Sequence, residues 1–97
     1  MLYPVLNETD VCLFNFYLNG AMRQGMRLKL ALYEETHLFS VNDRLKAYNF
    51  AAQLADIGCL PIVTVSTMGY RVWVNLKSDG YQYWRDVNQE NYPMAAA

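Results

Sequence analysis

SVNDRLKAYNFAAQLADIGCLPIVTVSTMGYRVWVNL, residues 40–76, decides the architecture. Ser40-Val41-Asn42-Asp43 places a hydroxyl at a helix N-cap and a carboxylate three residues on, a variant of the capping box. Val41, Leu45, Tyr48, Ala52 and Ala55 recur at helical spacing, and Ala51 and Leu54 widen that apolar stripe. The alanines, Ala47 among them, let the helix come close to a sheet. Gly58 supplies the left-handed residue past the helix end, and Pro61 prevents continuation. Ile62–Thr67 is β-branched apart from Ser66, a strand signal. Met68-Gly69 makes a tight turn. Tyr70–Leu76 then alternates, with Tyr70, Val72, Val74 and Leu76 on one face and Arg71, Trp73 and Asn75 on the other.

Working outward, Val11–Leu18 reads as a strand with Cys12, Phe14, Phe16 and Leu18 opposed to Leu13, Asn15 and Tyr17. A short helix capped by Thr9 or Asp10 competes for the same residues. Met26–Tyr33 alternates as a second strand, Met26, Leu28, Leu30 and Leu32 against Arg27, Lys29, Ala31 and Tyr33. Asn19–Gly25 between them reads as a long hairpin loop. Glu34–Phe39 reads as a connector, and Met1–Thr9 as an irregular lead-in interrupted by Pro4 and Asn7. Tyr81–Asn91 reads as a short helix capped by Ser78 or Asp79 and stopped by Pro93, with Tyr83, Trp84 and Val87 as its stripe. The expectation is one small α+β domain over 1–97 with 94–97 as a frayed tail. Its order is β-β-α-β-β-α: a four-stranded, mainly antiparallel sheet with two helices on one face.

The bulk composition bounds the function. Ninety-seven residues, 54% apolar and 18% charged, describe a globular chain rather than a disordered one. The net charge of −1 gives no global attraction to nucleic acid or anionic membrane. Charge is uneven locally: Arg23, Arg27 and Lys29 lie in a stretch without acids, followed by Glu34, Glu35 and Asp43 without bases. Cys12 and Cys59 are too few for a disulfide framework and read as buried reduced thiols, although sequence leaves a bridge between them open. The N-terminus shows neither signal-peptide pattern nor bilayer-length apolar run, so the expected setting is the cytoplasm, with no membrane partner.

Catalytic chemistry finds no constellation here. The phosphate loop, dinucleotide fingerprint, HExxH and CxxC patterns do not occur. His37 beside acidic residues reads as an exposed or capping histidine, and both cysteines sit in apolar context that disfavours a thiolate. Glu34 and Glu35 are neighbours that point apart, and with Asp43 they lack the spacing of a calcium loop. We expect no enzyme, no cofactor and no metal.

The sheet face away from the helices is the candidate site. It is expected to carry Tyr17, Arg27, Lys29, Tyr33, Arg71, Trp73 and Asn75, with Asn15 and the hydroxyls of Thr64 and Ser66 nearby. Tyrosine, tryptophan and arginine anchor protein interfaces. Aromatic platforms with flanking cations also stack single-stranded bases. The competing structural reading covers Trp73 with a helix, with the N-terminal segment or with a second copy. Two partial resemblances follow from the same strand. The helix, the glycine and Tyr70-Arg71-Val72-Trp73-Val74 resemble half of a SPOR domain, a family that binds denuded peptidoglycan from an exported position. Met68-Gly69-Tyr70-Arg71-Val72-Trp73 resembles the aromatic strand of RNA-recognition motifs, with Arg71 where that family has a small residue. Each covers about a third of the chain, and we assign neither. The function expected from the sequence is a non-enzymatic protein-interaction module: an accessory subunit, adaptor or inhibitor bound to a larger protein complex, of a kind that phages and mobile elements also encode. Single-stranded nucleic-acid binding is the alternative, and a homodimer stays open.

Overall fold

The computed structural model describes residues 3–91, with side chains through Asp86. Six strands form one sheet: β1 (Val5–Asn7), β2 (Cys12–Leu18), β3 (Ala21–Leu28), β4 (Ala31–Phe39), β5 (Ile62–Ser66) and β6 (Gly69–Asn75). Two helices, α1 (Arg44–Asp56) and α2 (Tyr81–Asn91), accompany them, and a single 3-10 turn spans Glu8–Asp10. The strand order is β1-β5-β6-β4-β3-β2. β1 runs parallel to β5, and every other pair is antiparallel. The four-stranded sheet expected from the sequence is therefore corrected to a six-stranded mixed one. The expected tail at 94–97 lies outside the described residues.

Three local readings account for the difference. The lead-in at Val5–Asn7 is a strand because β5 offers it a parallel edge, which no local propensity reveals. Asn19-Gly20, both at positive φ, close a two-residue turn that pairs Leu18 directly with Ala21, so the expected long loop is strand. The expected strand at 26–33 is instead two strands meeting at Lys29-Leu30, with Leu28 opposite Ala31 and Lys29 at φ 55°. The inward set changes parity there, from Met26 and Leu28 on β3 to Ala31 and Tyr33 on β4. The sequence alternation runs through without a break because neither turn residue is a turn former. The expected connector, Glu34–Phe39, continues β4.

α1 begins later than its sequence suggests. Asp43 is the N-cap and makes no side-chain capping bond. Ser40 instead organises the preceding turn: its carbonyl accepts from the Asp43 amide at 2.9 Å, and its Oγ donates to the Asp43 carboxylate at 3.2 Å. The helix end agrees with its reading. Gly58 sits at φ 84°, with its amide on the Ala55 carbonyl and the Cys59 amide on that of Leu54, both at 3.0 Å. Those two bonds are a Schellman closure. The buried face runs through Ala47, Ala51, Leu54 and Ala55, whereas Leu45 of the expected stripe is 71% exposed. The residue leading into α2 packs against this helix end: a Cβ on Gly80 would stand 2.2 Å from the Ile57 carbonyl oxygen.

Two cores result. On the helix side, Ala47, Ala51 and Leu54 meet Val63, Val72 and Val74 of the central strands and Trp84 of α2. The second core lies on the sheet's other face, where Met26, Tyr33, Ile62 and Trp73 gather with Leu6, Val11, Leu28 and Ala31. Chain connectivity explains that core. β1 and β2 are opposite edges, and crossing a flat six-stranded sheet takes about 24 Å. The chain from Asn7 to Cys12 reaches about 18 Å at full stretch, and less because Glu8–Asp10 is wound. The sheet must curl into a trough, and the N-terminal segment crosses its inside. A bulge between Glu35 and His37, where Thr36 donates to the Val72 carbonyl at 2.8 Å, adds curvature to β4.

Candidate functional site

The expected aromatic and cationic face does not stand open. Trp73 is 0% exposed, and its Nε1 donates to Thr64 Oγ1 at 2.9 Å. Thr64 Oγ1 in turn donates to Glu8 Oε2 at 3.0 Å. The other Glu8 oxygen lies 3.4 Å from Arg71 Nη1, and Arg71 Nε lies 2.9 Å from Glu35 Oε2. The Arg71 guanidinium also sits 6.0 Å from the centre of the Trp73 ring. One polar chain thus links the crossing segment to three strands; within it Arg71 Nε is buried and faces Glu35 as an ion pair without an aligned hydrogen bond.

The seven residues expected to form the site are divided among several places. Tyr33, Arg71, Trp73 and Asn75 share the trough, and Tyr33 pairs directly with Asn75. Tyr33 and Trp73 are buried there, and Asn75 Oδ1 accepts the Lys77 amide at 2.7 Å. Arg27 lies on the opposite face, paired with Cys12 across the ladder. Lys29 is in the β3–β4 turn, while Tyr17, on the trough face of β2 as expected, is 73% exposed. Cys12 is exposed, contrary to its expected burial, while Cys59 is buried and its thiol is pushed up by that burial. Alternation placed Trp73 and Arg71 on the right face. The apolar Leu6 and Val11 flanking Glu8 were the signal that something would cover it.

A second polar cluster centres on Glu34, which the sequence places at the start of a connector. Glu34 is 0% exposed and lies on the helix side, paired with Val74. Arg23 Nη1 is 2.7 Å from its Oε2, and Tyr81 Oη donates to its Oε1 at 2.8 Å. Gly25, opposite Glu34 on β3, lies under the Phe14 ring, where a Cβ would come within 2.6 Å. The cluster pins α2 to the β3–β4 hairpin. Burial, followed by the bond to Glu34, pushes the Tyr81 phenol up to about 12 from its ordinary 10.0.

That shift has a definite sign. The folded state holds the Tyr81 proton more tightly than the unfolded chain, so the stabilisation is full below the unfolded value of 10.0 and is lost as pH rises toward about 12. Tyr81→Phe should cost about 1.5–3 kcal/mol at neutral pH, the range for a hydrogen bond to a charged group. The stability gap between the two proteins should then narrow across that alkaline window, read from urea midpoints. A gap constant with pH would remove the coupling.

No family model, curated protein or solved structure matches the chain. Chemistry must therefore be read from the surface itself. His37 is exposed on the helix side against the Phe39 ring, at 4.5 Å between centroids, while Glu35 points into the trough. Among the described residues no three His, Cys, Asp or Glu side chains converge to hold a metal, and no helix is long and apolar enough to cross a membrane.

A groove of about 730 Å³ runs beside the β3–β4 turn, walled by Leu28, Leu30, Leu32 and Leu76 and rimmed by Lys29 and Lys77. Leu30 is 99% exposed at its mouth. Among the described residues neither lysine is in an ion pair. The turn that the sequence alternation concealed builds this site: it throws Leu30 out of the sheet and sets Lys29 at a positive φ beside it.

Proposed function

We propose that this chain is a non-enzymatic protein-interaction module whose groove at the β3–β4 turn seats a short segment of a larger protein. The observation that carries the reading is Leu30, wholly exposed on a hairpin turn beside an apolar groove with two lysines on its rim. An apolar side chain held so far out of the core contributes nothing to folding and is free to contribute to contact. The fitting occupant is an apolar anchor flanked by Asp or Glu, which satisfies wall and rim together. The role is accessory: the module adds to, or blocks, a surface on its partner. An exposed unpaired Cys12 suits a reducing compartment such as the cytoplasm. Stacking of nucleic-acid bases is not carried forward, because two of the three rings it needed, Trp73 and Tyr33, are buried.

The test is a photo-crosslinking amino acid placed at position 30 of the full chain, with position 45 on α1, another exposed leucine, as the control. Crosslinks from position 30 should fall on one acidic, apolar segment of one protein. Leu30→Asp should weaken that partner's binding by about 30-fold or more, the size of an interface hot spot. Crosslinks from position 30 that match those from position 45 would end the proposal.

A further inference from the structure

The groove leaves β2 unexplained. β2 is a terminal strand of the sheet, bonded among the described residues to β3 alone. The other terminal strand, β1, is guarded by its three-residue length and by Pro4 before it. β2 has seven residues, CLFNFYL, with no charge, proline, glycine or bulge among them. Proteins that must keep an edge unpaired place such devices on it. β2 carries none.

The backbone of β2 is poised for pairing. The turn at Asn19-Gly20 makes Leu18 and Ala21 a hydrogen-bonded pair, so the even-numbered residues of β2 direct their backbone groups toward β3. Gln24 on β3 confirms the parity, since its Nε2 donates to the Phe14 carbonyl at 3.3 Å. The amides and carbonyls of Leu13, Asn15 and Tyr17 consequently point away from the sheet. Among the described residues no hydrogen bond reaches them from outside β3.

We propose that the occupant of this edge is a second copy of the chain, paired antiparallel through β2 about a two-fold axis at Asn15. The strand is complementary to itself in that register. Leu13 meets Tyr17, Phe14 meets Phe16, and Asn15 meets its own copy. Odd residues face odd residues, so each outward amide finds an outward carbonyl. Two-fold symmetry brings like residues together near the axis, which forbids a charge there, and β2 is neutral throughout. The exposed Leu13 and Tyr17 become cross-strand neighbours beside Met22, also exposed and opposite Tyr17 on β3. The two trough-shaped sheets join into one sheet that leaves both grooves free, so this inference stands or falls apart from the groove.

Sedimentation of the full chain decides it. The chain should run at twice 11.2 kDa at micromolar concentration. Asn15→Lys and Asn15→Asp, each placing like charges on the axis, should both run as monomers with unchanged circular dichroism. Mixing the two variants should restore a dimer containing one of each, because lysine then faces aspartate. Wild-type chain that stays at 11.2 kDa, or single variants that remain dimeric, would overturn self-pairing. Monomeric variants whose mixture stays monomeric would overturn the Asn15 register.

Discussion

Trp73→Ala is expected to destabilise the protein by about 3–5 kcal/mol, the usual cost of emptying a large aromatic site in a core. Trp73 is fully buried and holds together Met26, Tyr33 and Ile62 from three other strands. Its indole also supplies the proton that Thr64 Oγ1 accepts, so truncation leaves a cavity and breaks the chain that ties Glu8 and Arg71 beneath the sheet. A domain of this size holds roughly 5–15 kcal/mol in total, so the variant should lose a large share of its folded stability. Its Tm should fall by more than about 12 °C. Thermal and urea unfolding followed by far-UV circular dichroism measures the effect. A variant with an unchanged midpoint would show that the trough core is not a core at all, and would reopen the sheet face as a binding surface.

Arg23→Ala is expected to cost a similar amount, about 3–5 kcal/mol, by a different route. The Glu34 carboxylate is wholly out of water, and among the described residues Arg23 is the cation paired with it. Removing the guanidinium leaves a buried charge facing a phenol hydroxyl, and an uncompensated buried charge is among the most expensive defects a fold can carry. The double variant Arg23→Ala/Glu34→Gln should recover much of that loss, because glutamine keeps the acceptor for Tyr81 Oη and removes the charge. Urea midpoints of the two single variants and the double variant close the cycle. Strictly additive losses would show that the pair, despite its 2.7 Å separation, does not stabilise the fold.

These two residues mark where the sequence was and was not readable. The period of Tyr70–Leu76 put Trp73 and Arg71 on a common face away from the helices, and the structure keeps them there. Whether that face was wet depended on Leu6, Glu8 and Val11, far along the chain, and on a sheet curled enough for a short segment to cross it. Glu34 had no local mark: a glutamate in a strand looks the same in sequence whether it meets water or an arginine on the next strand. The β3–β4 turn was hidden for a geometric reason. Lys29-Leu30 contains no turn former, and a two-residue turn conserves cross-strand alignment while the inward set changes parity. The groove that carries the proposed function is made by that turn, so it was hidden with it, and Lys29 was placed on a strand face it does not occupy.

What the sequence determined by itself was everything that acts within a few bonds. The Gly58 closure of α1, the β5–β6 hairpin and the alternation of β2 and β6 all follow from local sterics and period. The tertiary structure alone decided which edges pair, that β1 joins β5 in parallel, that the sheet curls, and therefore which of its side chains are core and which are surface. Those outcomes depend on desolvation and pairing between residues distant in sequence, and burial is a property of the neighbours a strand acquires rather than of the strand.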